Sequence, residues 1–131
     1  MTLYERIAGV VWSFPELCQK GQKVGLEKLE IENKTLKKFF DKIAEGEIEP
    51  DKFLSEEKSY FDQLAFLIES DFDQFSKGEA EKELLYLLGA LKRKKREKIK
   101  SEYAQKIEQA EAGGDKNKVK ELVNEFSKLI K

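Results

Sequence analysis

Apolar residues at the start of the chain recur at helical spacing. Leu3, Ile7, Val10, Val11 and Phe14 fall on one side of a helix with 3.6 residues per turn. Thr2-Leu3-Tyr4-Glu5 ahead of this stripe has the form of a capping box, in which the Thr2 hydroxyl and the Glu5 carboxylate each satisfy a backbone N–H. Phe14-Pro15 predicts the end of that helix, because a residue before proline avoids the α region. Pro15 can open a short second helix to Lys20, with Gly21 as its stop. Residues 21–32 read as a loop that sends Leu26, Leu29 and Ile31 inward.

Asn33 is a good N-cap for a helix with Leu36, Phe39, Phe40 and Ile43 on its apolar face, and Gly46 suits the C′ position. Asp51 then predicts a capped turn bearing Phe53 and Leu54. Ser55 is expected to cap a helix that faces Tyr60, Phe61, Leu64, Leu67 and Ile68 inward, and the following loop, residues 70–78, tucks in Phe72 and Phe75. From Glu79 to Ala112 the only glycine is Gly89 and there is no proline, so one helix of about 34 residues, roughly 50 Å long, is predicted. Leu84, Leu85, Leu87, Leu88 and Leu91 give its first part a core face. Beyond Lys92 only Ile99, Tyr103, Ile107 and the alanines are apolar, so the helix is expected to leave the bundle. Gly113-Gly114 stops it, and Asp115 caps a last helix with Val119, Leu122, Val123, Phe126, Leu129 and Ile130. The pattern is all-α: a helical bundle over residues 1–91, then a long helix leading into a helical hairpin over residues 92–131.

The last helix carries a sharper expectation. At about 100° per residue, Val119, Val123, Phe126 and Ile130 share a narrow stripe that would face Ile99, Tyr103, Ile107 and Ala110 across the hairpin. Leu122 and Leu129 are rotated about 60–80° away, so they are exposed anchors for a partner, flanks of a wider core, or covered by the hairpin folding back on the bundle. Lys118, Glu121 and Glu125 would form a polar rim around such anchors.

Charge reinforces the division. Residues 1–91 hold 12 Lys+Arg and 19 Asp+Glu, whereas residues 92–131 hold 13 and 7, an abrupt change of sign. It is sharpest at residues 92–100, where seven cations meet one anion. On a helix these point around the whole axis, which suits a solvated stalk. The competing role is non-specific contact with nucleic-acid phosphates through Arg93, Lys95 and Arg96, and a nuclear-import tag is a third.

The chain has no histidine and one cysteine, Cys18, so it cannot build an internal disulfide, a Cys/His zinc site or a His-based nucleophilic triad. Cys18 beside Leu17 reads as a buried structural thiol. Asp71-Phe72-Asp73 has the D-x-D form used to hold magnesium, but further carboxylates and a strand-end scaffold are not visible, and a polar loop around Phe72 is the simpler expectation. No glycine-rich phosphate loop is present. These features predict no catalytic site, no cofactor and no small-molecule substrate. Without a run of some 20 apolar residues, a soluble, cytoplasmic protein with no membrane association is expected.

Two stretches together resemble a known family. Glu5-Arg6-Ile7 through Val10-Val11 to Phe14-Pro15-Glu16-Leu17 is similar to the opening of the C-terminal domain of bacterial replicative primases (DnaG type), where an E-R-x-L-L helix leads into a [H/F]-P-E-L turn. Ile107-Glu108-Gln109-Ala110-Glu111-Ala112-Gly113-Gly114-Asp115, followed by Leu122 and Leu129, resembles the closing hairpin of that domain with its A-E-x-x-G-D turn. Residues 21–78 match only as a helical pattern. The resemblance implies a module that docks primase on the hexameric replicative helicase (DnaB type), with the bundle modulating helicase and priming activity and the hairpin supplying most of the grip. Lys118, Glu121, Leu122, Glu125 and Leu129 then become candidate helicase-binding residues. It also implies a parent enzyme whose zinc-binding and polymerase domains lie outside these 131 residues. The N-terminal domain of the helicase itself, which shares the bundle's form, and a helical nucleic-acid-binding protein working through residues 92–100 are the alternatives.

Overall fold

The first helix begins as its cap residues dictate. In the computed structural model, which describes residues 1–22 and 31–129, with side chains at 21 and 22 left aside, Glu5 N donates to Thr2 Oγ1 at 3.1 Å. Thr2 N donates to Glu5 Oε1 at 3.0 Å, closing both halves of the capping box. Helix α1 runs Leu3–Ser13 and buries Ile7, Ala8, Gly9, Val10 and Val11. A 3₁₀ turn, Pro15–Leu17, passes directly into α2, Cys18–Gln22, so Gly21 lies inside a helix and does not stop it. One turn of 3₁₀ geometry at a proline is a common way to start an α-helix. Of the expected loop contacts, Ile31 is half-buried, and Leu26 and Leu29 lie outside the described residues.

Helix α3, Lys34–Ala44, starts at Asn33, whose side chain accepts from Thr35 N and Leu36 N. It ends before Gly46, which takes φ +85°, a conformation that disfavours side chains with a Cβ. Its four expected core residues, Leu36, Phe39, Phe40 and Ile43, are buried. A 3₁₀ turn, Pro50–Lys52, then delivers Phe53 to the core and leaves Leu54 exposed. Helix α4 spans Ser55–Glu69, with Leu54 rather than Ser55 in the cap position; the Glu57 carboxylate reaches back to Leu54 N at 2.8 Å. Phe61, Leu64, Ala65 and Ile68 are buried. Leu67 is half exposed, because α4 has a narrower inward face than its apolar composition suggested.

Among the described residues, α1 packs on α4 more extensively than any other pair of helices. The contact is close at Gly9. A Cβ added there would overlap Ile68 Cδ1 and approach the Leu64 carbonyl carbon to 3.1 Å. Around the crossing lies an aromatic cluster, with Phe39 and Phe61 centroids 4.6 Å apart and Phe53 5.5 Å from Phe61. Trp12, off the stripe that sequence periodicity picks out, completes the cluster at 5.2 Å from Phe61, and its Nε1 donates to Asp62 Oδ1 at 2.8 Å. That bond satisfies the indole's single donor while its rings join the apolar cluster.

Helix α5, Lys77–Ala112, is 36 residues long. Ser76 caps it through Oγ and its carbonyl. Ala80, Leu84, Leu87, Leu88 and Leu91 are buried along it, whereas Leu85 is 52% exposed. Positions 84, 87, 88 and 91 follow a 3–4 spacing, and Leu85 stands about 100° off that stripe. Helix α6, Lys116–Leu129, completes an all-α chain in which no strand occurs among the described residues. The chain divides into two compact units, Met1–Gly89 and Ala90–Lys131, with the boundary two residues before the change of charge sign.

Candidate interaction surface

The hairpin of the second unit is built around a glycine turn. α5 ends at Ala112, Gly114 takes φ +72°, and Asp115 N returns to the Ala110 carbonyl at 3.1 Å. Asp115 Oδ1 then accepts from Lys118 N at 3.0 Å, starting α6. Across the hairpin the Tyr103 and Phe126 rings lie 5.8 Å apart, and Tyr103 Oη donates to Glu125 Oε2 at 3.2 Å. Desolvation beside α6, together with the Glu125 carboxylate, pushes the Tyr103 phenol above its ordinary value.

Burial shows which stripe of α6 faces α5. Leu122 is buried at 4% exposure, Val119 and Phe126 are half-buried, and Val123 is 45% exposed. The expectation that Leu122 stands away from the hairpin core as a partner anchor is therefore corrected: Leu122 is the best-buried residue of α6. Val119 and Phe126 belong equally to a 119-123-126-130 stripe and to a 119-122-126-129 stripe, both with 3–4 spacing. Where the two differ at Leu122 and Val123, the second puts the larger side chain in the seam, and burying more apolar surface favours it. Leu129, at the open end of this seam, remains 53% exposed. Ile130 lies outside the described residues. Lys118, Glu121 and Glu125 are exposed as a rim would be, although Glu125 is already bonded to Tyr103.

Further exposed apolar side chains fall in the first unit: Phe66 (69%) and Leu67 on α4, and Leu85 and Tyr86 (67%) on α5. Sequence periodicity missed Phe66 and Tyr86 because each sits beside a buried neighbour in a nearly continuous apolar run. Arg93, Lys95 and Arg96 are exposed on α5. The D-x-D carboxylates are not gathered into a ligand set. Asp71 Oδ2 instead lies 3.4 Å from Arg6 Nη1, while Arg6 Nη2 also holds Glu83 at 3.0 Å. Phe72 is half-buried and packs on Phe75 at 4.9 Å. Cys18 is buried, its Sγ 3.2 Å from the Gly46 carbonyl, and burial raises its thiol above the usual range. Among the described residues no helix is long and apolar enough to cross a membrane.

Comparison of the chain with protein-family models, with curated proteins and with solved structures finds no match.

Proposed function

We propose that this chain is a protein-docking module that attaches a replicative primase to its hexameric helicase and modulates helicase and priming activity, with the α5/α6 hairpin as the gripping element. The observation that carries the reading is the state of α6. Its seam is closed by Leu122, yet Val123 and Leu129 keep about half their surface in water, and Leu129, at the open end of the seam, stands one turn from the exposed Glu125. Half-exposed aliphatic side chains in a charged surround are the usual make-up of a docking patch, where a partner gains by covering the apolar centre and leaving the rim wet. The identity of the partner rests on the resemblance of the chain's two ends to the primase domain.

Pull-down of a hexameric replicative helicase by the whole chain tests this. Wild type is expected to retain the helicase. Val123→Glu and Leu129→Glu should each weaken capture by about tenfold or more, at least 1.4 kcal/mol, with helical content by circular dichroism unchanged. Full capture by both variants would remove the hairpin from the interface. Absence of capture by the wild type would remove the helicase as partner.

A further inference from the structure

Seven cations crowd residues 92–100, but the structure separates them into two groups. Lys94 and Lys98 have interactions of their own within the chain. Lys92, Arg93, Lys95, Arg96 and Lys100 are exposed and make no ion pair with any described residue. Glu97, one turn from Arg93, is not within ion-pairing distance of it. With Lys92 as zero and about 100° per residue, Arg96 lies at about 40°, Lys100 at about 80°, Arg93 at about 100° and Lys95 at about 300°. These five cations therefore share one face about 160° wide and, at 1.5 Å per residue, about 12 Å long, with the half-buried Ile99 at about 340° among them. Glu97, Lys94 and Lys98, at about 140°, 200° and 240°, take the opposite side. The impression from sequence that charge surrounds the axis evenly does not hold once the engaged lysines are set apart.

We infer that this face of α5 binds the phosphate backbone of nucleic acid. Lys92, Arg96 and Lys100 form an i, i+4, i+8 row of like charge. Such a row destabilises a helix unless an anion meets it, so an occupied face is more stable than a bare one. A regular row of one sign is matched by a partner with a regular row of the other, and a phosphate backbone carries one charge at every step. The two arginines add bidentate donors suited to phosphate oxygens. A lipid surface fits less well: Ile99 is the only apolar residue among the nine and is itself half-buried, so the segment has no apolar face to lay into a bilayer. Contacts of this kind carry no base specificity. The inference does not rest on the helicase reading, since none of its residues lies on α6.

Fluorescence anisotropy with the whole chain tests it, using a labelled 20-nucleotide single strand and the corresponding 20-base-pair duplex at 50 and 200 mM salt. With four or five phosphates engaged, affinity should fall by about 10²-fold between the two salts. Replacing Arg93, Lys95 and Arg96 together by Gln should weaken binding at least tenfold at 50 mM salt and flatten the log–log salt slope by about 2 to 3. Exchanging Arg93 and Arg96 for Lys should keep most of the binding. Replacing Lys34, Lys37 and Lys52 by Gln, an equal change in net charge on the first unit, should leave it unaltered. No binding of either nucleic acid at 50 mM salt overturns the inference. So does an equal loss in the two Gln triples, which would mean net charge alone. Binding of vesicles containing phosphatidylserine in place of either nucleic acid would overturn it as well.

Discussion

Gly9 is where a single hydrogen in place of a methyl sets a helix crossing. A Cβ there would have to displace Ile68, which is fully buried, or widen the approach to the Leu64 backbone. Gly9→Ala should therefore destabilise the chain by about 1–3 kcal/mol, even though alanine favours the helix, and a thermal melt of the variant would show it. A second residue-scale device joins α1 to α4: Tyr60 Oη donates to Glu5 Oε2 at 3.1 Å. Burial, reinforced by the Glu5 carboxylate, raises the Tyr60 phenol to about 12 from an ordinary value of 10.0. A raised value in the folded state means stability that is fully present below pH 10 and lost as pH rises from there towards 12. Tyr60→Phe should remove this component of alkaline unfolding, measured as the pH dependence of the denaturation midpoint between pH 9 and 12. Equal alkaline sensitivity in the variant would count against the Tyr60–Glu5 bond. The carboxylate works in the other direction. Its hydrogen bonds to the Thr2 backbone N–H, Tyr60 and the Thr2 hydroxyl hold Glu5 below its ordinary value, so its contribution is present at neutral pH and lost on acidification.

At the scale of elements, the hairpin shows how much a helix's sequence leaves open. Start and stop were legible: Asp115 caps α6 and Gly114 takes the left-handed turn that its lack of a Cβ permits. Facing was not, because the 119-122-126-129 and 119-123-126-130 stripes have the same periodicity and share Val119 and Phe126. The structure buries Leu122, so Leu122→Glu should cost the hairpin its fold by placing a carboxylate in its seam, whereas Val123→Glu should leave helix content near wild type. Circular dichroism and thermal melting of the two variants check this directly. The reverse result, with Val123→Glu unfolding the hairpin and Leu122→Glu tolerated, would mean that α6 faces α5 by the other stripe. The same degeneracy explains Leu67 on α4 and Leu85 on α5, expected in the core and found half exposed. Each adjoins a buried residue, and in an apolar run the sequence cannot say which of two neighbours about 100° apart meets the next helix.

Across the whole molecule burial is unequal. Among the described residues the second unit buries only Leu91 and Leu122, while the first buries a core that includes Phe39, Phe40, Phe61, Ile43 and Ile68. Amide hydrogen exchange should therefore protect the first unit more strongly than residues 99–129; equal protection would contradict the ranking. The sequence by itself determined the helical class and most caps and breaks, including the Thr2 box, the Asn33 cap, the glycine positions 46 and 114 and the length of α5. Those features depend on hydrogen bonds and backbone angles within a few residues of one another, and local chemistry suffices for them. It also located the change of charge at residue 92. Only the tertiary structure decided that Trp12 closes the aromatic cluster, that Leu122 rather than Val123 fills the hairpin seam, and which cations of residues 92–100 have no ion-pair partner among the described residues. Each of these depends on where a distant element lies, and a helix's own periodicity constrains its partner's direction only to within the angle between adjacent side chains.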